Sequence, residues 1–148
     1  MSSHLKRVES LGTFRFKLAW NGTPVEVPFG DDGDVLLLTP TRDRKEGEKR
    51  GYNWNVKVEL KSGSLYGVPE GQVINLAPLE GYQSSIDIGF NRGATKWSGS
   101  IGRADAVLLT DKGKYGRVDL KIHSDREDGA PSGLAHIYLN SSGARNLE

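Results

Sequence analysis

Apolar and polar side chains alternate along this chain with a period of two residues, and that pattern restricts the fold more than any other feature. The longest run covers residues 52–60. Its apolar members are Tyr52, Trp54, Val56, Val58 and Leu60, and its polar members are Asn53, Asn55, Lys57 and Glu59. Shorter runs of the same kind occupy residues 14–20, 86–90 and 118–122. This alternation is typical of strands in an antiparallel sheet that has one buried and one wet face.

Further short apolar segments complete a series of strands separated by glycine, proline, asparagine and aspartate. These segments are residues 25–27, 35–39, 73–77, 97–101, 106–110 and 135–140. The Asn21-Gly22 pair is the strongest hairpin signal in the chain. Helical periodicity does not extend beyond about eight residues anywhere. The sequence therefore predicts an all-β fold, a two-layer antiparallel β-sandwich or flattened barrel of about eight to ten short strands.

Length and charge limit the classes of function. The 148 residues suit one domain, which we place at residues 13–146, after an N-terminal tail of residues 1–12 and before a cloning remnant at 147–148. Twenty basic residues balance nineteen acidic ones, which argues against a nucleic-acid binder. The longest apolar run, residues 35–38, is far shorter than the ~20 residues of a membrane span.

The chain contains no cysteine, so thiol catalysis, disulfides and cysteine-ligated zinc are excluded. This absence does not identify the cellular compartment. We expect the domain to be one piece of a larger extracytoplasmic protein.

The two halves of the domain, residues 13–79 and 80–146, show signs of an internal duplication. A shift of 62 positions aligns residues 51–71 with residues 113–133, and the motif Gly-x-Pro-x-Gly recurs in place. Glycine and proline supply most of the identities, so reuse of common turn residues is the alternative explanation. Matching segments farther upstream align with a shift of 71, which indicates about nine extra residues in the first half, at 42–50.

The extra segment carries five basic and three acidic residues. Its cations would form a contact loop for an anionic partner such as phosphate, an acidic glycan or an acidic protein patch. They are Arg42, Arg44, Lys45, Lys49 and Arg50. A solvated, mobile loop is the alternative, and it is the one we favour. We therefore expect a variant shortened to the length of residues 111–113 to keep its thermal stability.

Two further groups of residues are candidate sites. Trp97 and the polar side of the last strand, formed by His136, Tyr138 and Asn140, are candidates for ligand binding, since flat aromatic rings stack on sugars. Asp31, Asp32 and Asp34 surround Gly33 and offer the hard oxygen ligands that calcium prefers. Their spacing is not that of an EF-hand, and aspartate also favours turns for its own reasons.

Catalytic motifs are missing from the sequence. Neither a Gly-x-Ser-x-Gly elbow nor a His-Glu-x-x-His pair occurs. A carboxylate pair for glycoside hydrolysis remains open, with Asp87, Glu59, Asp119 and Asp105 as strand-borne candidates. The sequence favours a non-catalytic module that binds a carbohydrate or a protein surface. The alternatives are a carboxylate-based glycoside hydrolase and an assembly protein that pairs through edge strands.

Overall fold

A computed structural model of the chain describes residues 8–148, and within that range the backbone forms nine strands. They are β1 (Glu9–Lys17), β2 (Val25–Phe29), β3 (Asp34–Arg42), β4 (Trp54–Lys61), β5 (Gly63–Gly67), β6 (Ser85–Phe90), β7 (Ser100–Thr110), β8 (Tyr115–His123) and β9 (Pro131–Asn140). They pair antiparallel in two sheets. Sheet A has the order β1-β9-β8-β7-β5, and sheet B has the order β2-β3-β4-β6.

The two sheets pack face to face around one main core, which confirms the predicted β-sandwich; they do not close into a barrel. The core takes its residues from both sheets at the positions that alternation predicts. Leu36 and Val56 from sheet B meet Leu120 and Ile137 from sheet A, and all four are fully buried. The residues between them in each strand point outward, so each sheet also has a wet face.

A second, smaller core lies outside sheet A. The long connection between β5 and β6 crosses this face and buries Ala77 against Val107 and Leu147. Backbone hydrogen bonds from Ala77 to Arg145 and from Leu147 to Asn75 join the connection to the C-terminal segment. Leu147 is therefore a packed residue of the domain, and β1 begins at Glu9, inside the segment that we assigned to a tail.

The predicted strand at residues 73–77 is wrong, because this segment belongs to that crossing connection. Its inward residues, Ile74 and Ala77, are three positions apart, whereas inward residues of a strand are two positions apart. The intervening Leu76 makes only a single β-bridge, to Asn146. Conversely, β5 was not predicted. Its sequence, Gly-Ser-Leu-Tyr-Gly, resembles a turn, and it follows β4 after the single residue Ser62.

The two sequence halves are interleaved in space. The β3–β4 hairpin lies in sheet B and the β7–β8 hairpin in sheet A, but β1 and β5 from the first half join sheet A while β6 from the second half joins sheet B. The two copies of the repeated motif also lie in different structural settings. The first copy, residues 67–71, begins at the last residue of β5, whereas the second copy, residues 129–133, runs into the start of β9. The duplication itself stays a prediction.

The outer strands of the sheets have features that oppose edge-to-edge pairing. A bulge at Gly12 interrupts β1, and Pro28 lies within β2. The edge of β5 is occupied, because Leu65 exchanges two backbone hydrogen bonds with Gln83. Residues 8–148 contain no helix long and apolar enough to cross a membrane.

Candidate functional site

An open cleft lies on the outer face of sheet B, where β3 ends and β4 begins beside the end of β6. Its volume is about 280 Å³. It is lined by Thr41, Arg42, Asp43, Asn53, Trp54, Asn55 and Asn91. Most of these side chains are polar and can form hydrogen bonds. The cleft is thus suited to a small polar ligand or to one unit of a larger one.

The alternation of β4 explains why asparagines line this cleft. Tyr52 and Trp54 point into the core, so Asn53 and Asn55 between them point outward. Strand register places Asn55 between Thr41 of β3 and Gly89 of β6.

A network of charged and amide groups forms one wall of the cleft. Asp43 accepts hydrogen bonds from the backbone N–H of Asn53 at 2.8 Å and from its Nδ2 at 2.7 Å. Arg92 donates to Asp43 Oδ1 at 3.0 Å and to Glu48 Oε2 at 2.7 Å. The backbone N–H of Arg92 also donates to Asn53 Oδ1. These contacts fix the wall: both carboxylates bond to one guanidinium, so the three charged groups together stay net negative.

The pKa values of the wall residues follow from this pairing. Hydrogen bonding from Arg92 lowers the pKa of the Glu48 carboxyl. Partial desolvation acts to raise the pKa of Asp43, but the bonds from Asn53 and Arg92 outweigh it and leave that pKa below its ordinary value. The pKa of Arg92 is raised, chiefly by its bond to Glu48. All three groups are therefore charged at neutral pH.

Three hydrogen-bonding groups of the cleft remain available to a ligand. Asn55 donates through Nδ2 to Asp87 at 2.9 Å, which leaves its Oδ1 as an acceptor. The Thr41 hydroxyl and the Asn91 amide are exposed and form no hydrogen bond with another side chain among residues 8–148. Together these groups supply both donors and acceptors.

Arg42, which also lines the cleft, has its guanidinium turned away from the cleft opening. Its Nη1 donates to the carbonyl oxygens of Ser124 and, at 2.7 Å, of Arg126. Its Nη2 lies 2.6 Å from Asp128 Oδ1, and its guanidinium is 5.3 Å from the centre of the Trp20 ring. The cleft therefore offers no unpaired charge to a ligand.

In the predicted contact loop, residues 42–50, some of the cations are held by hydrogen bonds and the others are exposed. Arg42 belongs to β3, and Arg44 donates to the carbonyl oxygens of Glu48 at 2.8 Å and of Asp125 at 3.4 Å. Lys45, Lys49 and Arg50 are exposed. These bonds tie the loop to its surroundings, so shortening it is now expected to lower thermal stability.

Trp97 is half-buried and packs on the core. Its ring lies edge-on to Tyr52, with centroids 4.9 Å apart, and its Nε1 donates to the carbonyl oxygen of Tyr52 at 2.7 Å. The guanidinium of Arg50 lies 5.9 Å from the ring centre. Trp97 thus anchors the β6–β7 connection.

The structure brings together two of the three predicted ligand residues of β9. His136 and Tyr138 stack on each other with ring centres 4.5 Å apart, and Arg117 lies 4.2 Å from the centre of the Tyr138 ring. The Tyr138 ring therefore already packs against two side chains. The expected exposure of Asn140 is wrong: it is fully buried and donates to the carbonyl oxygen of Asn146, because it closes the turn that follows β9.

The acidic turn does not converge on a cation site. Asp32 pairs with Lys114 at 2.5 Å and with Lys112 at 3.6 Å, and hydrogen bonding from Lys114 lowers its pKa. Asp34 is buried at the start of β3, where desolvation raises its pKa, whereas Asp31 is exposed. Within residues 8–148 no group of three or more histidine or acidic side chains is arranged to hold a metal ion.

Of the strand-borne carboxylates, the structure brings two together. Asp105 and Asp119 are direct cross-strand partners on the outer face of sheet A. Arg103 holds Asp105 through bonds of 3.0 and 2.9 Å. Arg117 Nε lies 3.2 Å from Asp119 Oδ1, an ion pair without hydrogen-bond geometry. Desolvation raises the pKa of Asp119, and the neighbouring Asp105 adds to this effect.

The other two carboxylate candidates stand apart from this pair, in sheet B. Asp87 accepts the bond from Asn55, and Glu59 lies 3.8 Å from Lys57. All four carboxylates therefore have partners on their own sheet.

Sequence reasoning missed the residues that line the cleft. Asn53 and Asn55 were recognised only as the polar half of an alternating strand, and Asn91 follows a different strand 36 positions after Asn55 along the chain. Only strand register brings them together. A comparison of the chain with protein-family models, with curated proteins and with solved structures found no match.

Proposed function

We propose that this domain is a non-catalytic binding module that holds one unit of an uncharged carbohydrate in the cleft on sheet B. The observation that carries the proposal is the set of free groups at Thr41, Asn55 and Asn91 beside a wall whose two carboxylates both bond to Arg92. Sugar hydroxyls both donate and accept, so they match a mixed set of hydroxyl, carbonyl and amide groups.

The charge pairing favours an uncharged ligand over an anionic one. Arg42 is committed to Asp128, and Arg92 to Asp43 and Glu48. An anion in the cleft would have to displace one of these carboxylates and leave it without its partner. That exchange would cost free energy, whereas hydrogen bonding to a neutral hydroxyl would carry no such cost.

The cleft geometry also predicts weak binding by a single site. Trp54 is only 2% exposed, so its ring cannot provide a stacking platform. Three or four hydrogen bonds in an open cleft correspond to a Kd on the order of millimolar. Repetition of the module, or a polymeric ligand, would raise the apparent affinity.

The test is a titration of the full chain with neutral glycans selected from an array. We expect Asn55→Ala and Asn91→Ala each to raise Kd at least fivefold. The matched control is Asn75→Ala, because Asn75 is an exposed asparagine in the β5–β6 connection, away from the cleft. Loss of binding in Asn75→Ala as well, or unchanged binding in both cleft variants, would reject the proposal.

A further inference from the structure

We propose that the outer face of sheet A is a second binding surface, which takes a linear acidic polysaccharide through Arg15, Lys17 and Lys121. This surface is independent of the cleft, which lies on the other sheet. The positions of these cations and the pairing of the nearby acids on the same face support this proposal.

Strand register brings the cations onto one face. Phe16 of β1 is buried, so Arg15 and Lys17 on either side of it point outward. Arg15 is paired with Leu134 of β9, which is paired in turn with Lys121 of β8. Arg15 and Lys121 are thus two strands apart, at about 10 Å, and Arg15 and Lys17 are about 7 Å apart along β1.

None of the three cations forms an ion pair with a residue in the range 8–148, and all three are exposed. The acids of the neighbouring strands on this face, Asp105 and Asp119, are already held by Arg103 and Arg117. The positive potential of the three cations is therefore left uncompensated. The three cations form a compact group on this face, which fits a partner that carries several negative charges close together.

The same face disfavours a nucleic acid. Single strands bind by stacking bases on aromatic rings, and the Tyr138 ring on this face is already stacked on His136 and contacted by Arg117.

The experiment measures Kd of the full chain for four probes at low salt. They are heparin as a sulfated polymer, polygalacturonate as a carboxylated polymer, dextran as a neutral polymer and a single-stranded DNA of matched charge. We expect binding to at least one of the two acidic polysaccharides, weakened by added salt, and at least tenfold weaker binding to dextran and DNA. The two acidic probes distinguish sulfate from carboxylate as the recognised group.

A triple variant assigns the binding to this face. Replacing Arg15, Lys17 and Lys121 by glutamine should raise Kd for the acidic polysaccharide at least tenfold. The control replaces Lys45, Lys49 and Arg50, which changes the net charge equally, and should change Kd less than twofold. Denaturation curves of both variants check that they fold. Equal loss in the two variants, DNA binding as tight as polysaccharide binding, or no binding of the unaltered chain to either acidic polymer would overturn the proposal.

Discussion

Asp34 is a buried carboxylate with an unsatisfied oxygen, since its Oδ2 has no hydrogen-bond partner among the described residues. Desolvation raises its pKa, and the charges of Asp32 and Asp111 raise it further. A folded-state pKa above the unfolded value means that the folded protein binds the proton more tightly. Ionisation of Asp34 therefore destabilises the fold at neutral pH, and this penalty disappears below the unfolded pKa.

The residue-scale prediction is that Asp34→Asn raises the free energy of unfolding at pH 7 by about 1 kcal/mol. The gain should shrink as the pH falls through the raised folded-state pKa and should vanish below 3.8, the ordinary pKa of an aspartate. Urea denaturation at a series of pH values measures this difference. A gain of the same size at pH 3 and pH 7 would show that the charge of Asp34 is not its cause.

Arg42 is the residue whose loss should weaken the loop end of the sandwich most. Its guanidinium holds the β8–β9 connection through Ser124, Arg126 and Asp128. We expect Arg42→Gln to lower the free energy of unfolding by about 2 kcal/mol, because hydrogen bonds to a charged group are lost from a largely buried position. Lys45→Gln, an exposed control in the adjacent loop, should change it by less than about 0.5 kcal/mol.

The alternation of apolar and polar residues predicted, for most residues, whether the side chain faces the core or the solvent. It failed at the ends of strands. Trp20 and Trp54 were expected in the core and are buried there. Asn140 continues the outward phase of His136 and Tyr138, but the turn after β9 folds back over it. A local pattern carries no information about the segment that later covers a residue, which is why such positions escape prediction from sequence.

At the scale of the elements, Gly89 shows where two strands approach too closely for any side chain. A Cβ atom on Gly89 would collide with the carbonyl oxygen of Trp54. We expect Gly89→Ala to cost about 3 kcal/mol of unfolding free energy, because β6 would have to move away from β4. Gly102→Ala in β7 is the matched control, since its Cβ would meet no atom within 4 Å. Equal losses in the two variants would contradict this contact.

Strands that are rich in β-branched residues, or in which apolar and polar residues alternate, could be predicted from the sequence. Elements without these patterns could not. β4 and β8 follow from strict alternation, and the structure places both near the middle of their sheets. β5 depends on its neighbour β7 and on Gln83 at its free edge rather than on its own composition. The connection at 68–84 has enough apolar residues for a strand, yet these residues serve the second core.

At the scale of the whole molecule, the interleaving of strands predicts one cooperative unfolding transition. Each sequence half contributes strands to both sheets, so neither half contains a complete sheet or the main core. We expect calorimetric and van't Hoff enthalpies of the full chain to agree. Residues 13–79 and 80–146, expressed separately, should remain unfolded. An independently folded half would contradict the shared core.

The candidate site was the least predictable feature because its residues are distant in sequence. Composition correctly indicated wet faces rich in asparagine, aspartate and lysine. It could not indicate that Arg92 bonds to both Asp43 and Glu48, or that the end of β6 lies beside Asn55. Those relations arise only when register brings the strands together.

The cleft on sheet B is tested most directly by following the side-chain amide signals of the asparagines by NMR during titration with a neutral glycan. We predict that the Nδ2 resonances of Asn53, Asn55 and Asn91 shift in a saturable way, while that of Asn75 stays fixed. Shifts confined to the outer face of sheet A, or no saturable shift in any of the three cleft asparagines, would contradict a carbohydrate site in this cleft.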